Sequence, residues 1–176
     1  MSQDMTSQVG GKKKGQIYLI ITNISKSPNI KSLLRTAVAF GCHTIFIAGQ
    51  RKFNFDHQDD KSDIPSFLKS SLNDGALKIV KFEKLEECIQ HVHSLGIQVA
   101  GVEIDEKSVD IEDCDDCFIG DTAFMMGNEG DGMNKKQLSL CDTFVKIRQY
   151  GGGTASLNVN VAAGIVLHRF HQWAMS

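Results

Sequence analysis

The sequence predicts an α/β fold, a mostly parallel sheet flanked by helices. Three observations carry this expectation. Short continuous apolar runs rich in β-branched residues, such as Ile17-Tyr18-Leu19-Ile20-Ile21, fit strands covered on both faces. Stretches of helical periodicity separate these runs and give alternating β and α units. Two glycine-rich loops follow apolar runs near the C-terminal end, and open parallel sheets bind ligands beyond the carboxyl ends of their strands.

Residues 1–14 are polar, with two glycines and a lysine run, and show neither period, so they read as a flexible arm. A single domain is expected over 15–176. The first strand is 17–21, and Pro28 closes the loop behind it. From Asn29 the positions Ile30, Leu33, Leu34, Ala37, Val38 and Phe40 are helically spaced, with Gly41 where a helix end favours a left-handed residue. A strand at 44–48 follows, then a charged loop at 51–63 without clear period. Strand 76–82, helix 85–95 and strand 97–104 repeat the pattern, and acidic residues dominate 105–116. The remainder reads as strand 123–126, a glycine loop, a short helix at 135–140, strand 143–147, a second glycine loop and a long helix over 156–173.

Composition limits what the chain can be. Its 176 residues are 41% hydrophobic and 23% charged, with 16 Gly and 2 Pro, ordinary for an α/β enzyme and wrong for a disordered or collagen-like chain. No apolar stretch is long enough to span a membrane, and the first residues lack the apolar core of a secretory signal. A soluble, intracellular protein is expected, cytoplasmic first, with nuclear and organellar placement left open. The five cysteines lack the regular spacing of a disulfide framework, which suits a reducing compartment and a role as small core residues. With a net charge of -2, a surface for a polyanion has to be local. Candidates are Lys12, Lys13 and Lys14, Lys31 with Arg35, Arg51 with Lys52, and Lys135 with Lys136, each taken alone read first as solvated surface.

Two segments invite chemistry. Met126-Gly127-Asn128-Glu129-Gly130-Asp131-Gly132 follows an apolar strand, and glycine there lets backbone approach a ligand, although a plain structural turn has the same composition. Arg148-Gln149-Tyr150-Gly151-Gly152-Gly153-Thr154-Ala155-Ser156 leads from another strand into the long helix. Ser156 could simply cap that helix, while Asn158 and Asn160 sit among small apolar residues and call for hydrogen-bond partners.

These residues carry a resemblance. Asn29 with Arg35-Thr36-Ala37 and Phe40-Gly41, then Met126-Gly127-Asn128-Glu129-Gly130, then Ser156-Leu157-Asn158-Val159-Asn160-Val161-Ala162-Ala163-Gly164 resemble, in order, the three motifs of the SpoU (TrmH-like) RNA 2'-O-methyltransferases of the SPOUT superfamily. The resemblance covers nearly all of the chain after the arm. It implies a C-terminal deep trefoil knot and a bent S-adenosylmethionine held by backbone around Gly127, Ile147 and Leu157, with Met126 beside it and Ala100-Gly101-Val102 lining the pocket. It also implies an RNA substrate, a homodimer and no metal; the compact size of the chain puts tRNA ahead of rRNA, and the apolar runs are too short for a membrane partner. Arg35 is the implied catalytic residue, contacting RNA phosphate and activating the ribose hydroxyl. Asn29, Glu129, Ser156 and Asn158 complete the implied catalytic set. A helix-face arginine paired with a carboxylate is the plain alternative for Arg35, as are capping and buried hydrogen bonding for Glu129, Ser156 and Asn158.

Two features depart from the family pattern: Arg148 stands where many members have proline, and Gly151-Gly152-Gly153-Thr154 is longer by about one residue than the common bacterial form. An extra N-terminal RNA-binding domain of the kind some relatives carry is not expected. Cys114-Asp115-Asp116-Cys117 has the spacing of redox and zinc sites, but its carboxylates oppose the thiolate that either needs, and no second pair accompanies it. Two other classes of function stay open: a nucleotide-binding protein, which lacks the GxxxxGK[ST] loop, and a catalytically silent RNA-binding or assembly factor.

Overall fold

The computed structural model describes residues 14–114, 116–151 and 156–176. Lys12 and Lys13 of the arm, and Gly152 to Ala155 of the second glycine loop, lie outside the described residues. Seven strands form one sheet in the order β3-β2-β1-β6-β4-β7-β5. They are β1 (Ile17–Thr22), β2 (Thr44–Ala48), β3 (Lys78–Phe82), β4 (Gln98–Val102), β5 (Val109–Asp110), β6 (Thr122–Met126) and β7 (Thr143–Lys146), and neighbouring strands pair in parallel. The helices are α1 (Ser27–Ala39), α2 (Ser66–Asn73), α3 (Leu85–Ser94), α4 (Lys135–Ser139) and α5 (Val159–Met175), with a 3-10 turn at Ile111–Asp113.

The alternation of side chains along each strand produces two cores. Leu19, Ile21, Ile45 and Ile47 join one cluster with Leu33 and Leu34 of α1 and Val166, Leu167 and Phe170 of α5. Ile20, Phe46 and Met125 point the other way, against Cys88, Ile89 and Val92 of α3. Both faces are covered, which explains why the strands read as unbroken apolar runs. Central β6 is buried along its whole length.

Several boundaries differ from the sequence reading, for physical reasons. Pro28 lies inside the first turn of α1, where its missing N–H is one that no intrahelical acceptor would have used. Helix α2, unforeseen, starts after Pro65 in the 51–73 stretch and buries only Leu68, too little to leave a periodic signature. The cap of α5 is Asn158, whose side chain accepts from Asn160 N, so Ser156 lies outside the helix. Gly41 does take the left-handed conformation, φ +79°, at the end of α1. Cys42 and Cys88 are buried and free, whereas Cys114 and Cys117 are joined in a disulfide, a pairing the sequence reading had discounted. Lys14, the last residue of the arm, donates from its backbone to Ala174 O at 2.9 Å, and its ammonium lies 5.8 Å from the Trp173 ring centroid. Among the described residues no helix is long and apolar enough to cross a membrane.

Candidate active site

The carboxyl ends of the adjacent strands β6, β4 and β7 open into a cavity of about 380 Å³, with Val159 and Ala162 at the start of α5 also in its wall. Met126, Val102 and Lys146 end those strands at its wall. The glycine loop after β6 is a closed turn: Asn128 N donates to Gly132 O at 3.0 Å, Gly132 N to Asn128 O at 3.1 Å, and Gly130 N to Asn128 Oδ1 at 3.0 Å. At Gly132, φ is +68°, which favours glycine, and an added Cβ would stand 2.5 Å from Glu103 Oε2, so the Glu103 carboxylate would have to shift. At Gly127 a Cβ would meet the same oxygen at 3.0 Å. The Glu103 carboxylate fills this space, accepting from Met133 N at 2.6 Å and Ile104 N at 2.9 Å.

A second carboxylate joins this loop to α1. Glu129 accepts from Asn29 Nδ2 at 2.7 Å, Ser25 N at 3.2 Å and Lys26 N at 3.3 Å. Its desolvation pushes the pKa up, but the hydrogen bonds from Asn29, Ser25 and Lys26 outweigh this and carry it below the ordinary carboxylate value. The neighbouring Asn128 Nδ2 donates to Asn23 O at 2.7 Å and Ser25 Oγ at 2.9 Å, so two successive side chains hold the β1–α1 turn. Asn158 Nδ2 approaches Asn29 Oδ1 at 3.4 Å, and Thr36 Oγ1 donates to Asn160 Oδ1 at 2.7 Å, which ties α5 to α1. Arg35 lies outside the cavity on the exposed side of α1, with its guanidinium 4.8 Å from the Phe67 ring centroid of α2.

The profile of the SpoU rRNA Methylase family matches residues 16–168. The chain belongs to this family. A 23S rRNA (guanosine-2'-O-)-methyltransferase RlmB from Neisseria meningitidis serogroup B is 31% identical over 155 residues, covering 86% of this chain and 56% of that protein. The RlmB of Vibrio vulnificus is 28% identical over 170 residues, covering 95% of this chain and 63% of that protein. The chain thus spans 56% to 63% of the length of these curated relatives. Among solved structures, the SpoU methyltransferase AviRb from Streptomyces viridochromogenes in complex with AdoMet superposes with a TM-score of 0.68 at 26% identity, covering all of this chain and 64% of that one.

Of the residues expected to line a SpoU cofactor pocket, Val102, Met126, Gly127, Ile147 and Leu157 line the cavity. Ala100 and Gly101 do not; both are buried in mid-strand. A Cβ on Gly101 would stand 2.9 Å from Cys141 Sγ and the Phe144 ring, so this glycine serves packing. Of the expected catalytic set, Glu129 and Ser156 line the cavity, Asn29 and Asn158 are hydrogen-bonded at its edge, and Arg35 stands apart. Asp131 and Gln149 of the two glycine loops also line it, as do Glu103 and Lys146, which the sequence analysis does not single out.

Proposed function

We propose that this chain is an S-adenosylmethionine-dependent RNA ribose 2'-O-methyltransferase acting as a homodimer in the cytoplasm, its catalytic domain 15–176 preceded by an arm, 1–14, with the knot of its family at the C-terminal end. The observation that carries this reading is the cavity at the carboxyl ends of β4, β6 and β7, beside the Asn29–Glu129 pair. Val102, Met126, Ile147 and Leu157 supply apolar wall, a fit for a flat adenine and a thioether chain. The wall carries Glu103, Glu129 and Asp131 against Lys146, a balance that favours a sulfonium cation.

The bound cofactor supplies an electrophilic methyl group on sulfur. Gly127, Ile147 and Leu157 would hold the cofactor so that this methyl group could pass to a ribose 2'-oxygen, whose proton would go to solvent water. The chain's task is alignment and stabilisation of the developing alkoxide. Arg35 is outside its own cavity, so in this reading a second copy brings its Arg35 to the mouth, holding the RNA phosphate and the nascent oxyanion. Val161 and Ile165 of α5, 49% and 40% exposed, supply apolar surface for the second copy. Sedimentation at micromolar concentration showing only a monomer would defeat the dimer.

The acceptor is RNA, with tRNA expected ahead of the 23S rRNA named for the RlmB relatives. Calorimetry with S-adenosylhomocysteine in a chelator tests the cofactor site. Saturable one-to-one binding supports it; a folded sample that ignores this product but binds ATP tightly overturns it.

A further inference from the structure

Arg148, the departure from the family pattern, has a specific place. Directly after β7 the chain alternates: Ile147 and Gln149 line the cavity, while Arg148 and Tyr150 carry hydrogen bonds to the strip 110–113. Arg148 donates to Asp110 Oδ2 through Nη2 at 2.6 Å and through Nε at 3.2 Å, and reaches Asp113 Oδ2 at 3.4 Å. Tyr150 OH donates to Glu112 Oε2 at 3.1 Å, and Arg169 of α5 reaches Glu112 O at 3.4 Å. The acidic 105–116 stretch thereby includes a docking strip: β5 pairs with β7 through Val109 and Asp110, and the 3-10 turn follows at once.

The carboxylate is committed to this contact. The Asp110 side chain is 16% exposed, and its Oδ1 is buried with no hydrogen-bond partner among the described residues, so loss of Arg148 would leave a mostly buried charge uncompensated. The Arg148 side chain itself is 49% exposed, which leaves the pair open to screening by salt.

We propose that Arg148 is a positioning residue for the cofactor: by bridging Asp110 and Asp113 it docks the 147–150 strip so that Ile147 and Gln149 form the cavity wall. Cofactor affinity then depends on an ion pair directed away from the pocket. This inference rests on the reading of the cavity as the S-adenosylmethionine site.

The test is calorimetric affinity for S-adenosylhomocysteine of wild type, Arg148→Ala, Asp110→Asn and the double variant, each checked for folding by thermal melting. Each single change is expected to weaken binding about five- to tenfold, and the double change by about the same factor rather than the product. Raising KCl from about 0.05 to 0.5 M should weaken wild-type binding and move the variants little. Singles within about twofold of wild type, or factors that multiply, overturn the proposal. If Arg148→Ala fails to fold, near-isosteric Asp110→Asn decides by the same criterion. Wild type that binds no S-adenosylhomocysteine defeats the cofactor reading instead, a distinguishable result.

Discussion

Asn29 Nδ2 donates to Glu129 Oε1 at 2.7 Å, joining the first turn of α1 to the glycine loop after β6 across 100 positions of sequence. The same carboxylate takes the backbone N–H groups of Ser25 and Lys26, so one side chain organises three donors at the cavity mouth. Glu129→Gln retains size but offers one acceptor oxygen and presents an amide to donors. It should cost about 1 kcal/mol of stability, since the site is only partly buried, and should reduce methyl transfer more than S-adenosylhomocysteine affinity. Denaturant unfolding alongside single-turnover transfer checks this, and unchanged transfer would remove Glu129 from the acceptor side.

The pH dependence follows from the direction of the Glu129 shift. Its pKa is lowered in the folded protein below the ordinary carboxylate value, so its contribution to stability is fully present above that ordinary value. It is lost as pH falls through the lower folded value. Wild type minus Glu129→Gln stability, measured by denaturant midpoint at descending pH, should be constant near neutrality and shrink below the ordinary carboxylate range. A difference that persists at the acid end would contradict the assignment.

Gly132→Ala combines a left-handed backbone with a Cβ 2.5 Å from Glu103 Oε2, whereas Gly75, φ +78°, has nothing within 4 Å of its added Cβ. Both substitutions carry a backbone cost of about 1 kcal/mol. Only Gly132→Ala should also displace Glu103 and weaken S-adenosylhomocysteine binding. Equal effects on binding would show that Glu103 does not shape the cavity.

The sheet was legible because its strands are buried on both faces, so runs such as 17–21 and 44–48 stand out without alternation. Helix α2 and β5 were not legible: one buries a single residue and the other is a two-residue edge strand. The cavity wall residues Gly127, Ile147 and Leu157 came from motif resemblance. Glu103 was missed because its role depends on the β6 loop folding back onto β4, a contact between elements that no local pattern encodes. The Arg148 anchor was hidden for the same reason, since its carboxylates lie 35 and 38 positions away.

Arg35→Ala should abolish methyl transfer and leave cofactor affinity nearly unchanged, because the guanidinium lies over Phe67 and outside the cavity of its own chain. Arg35→Lys should rescue little, since a point charge lacks the planar bidentate fork. Titration with S-adenosylhomocysteine and single-turnover transfer on the same folded variant separate the two effects. A parallel collapse of cofactor binding would make the role of Arg35 structural.

The most direct measurement is transfer of labelled methyl from S-adenosylmethionine to tRNA and to ribosomal RNA, followed by nuclease digestion and separation of the nucleosides. Label on ribose 2'-oxygen, lost with Arg35→Ala, is the expected result. Label confined to a base, or no transfer to either RNA by a folded protein that binds S-adenosylhomocysteine, would contradict it.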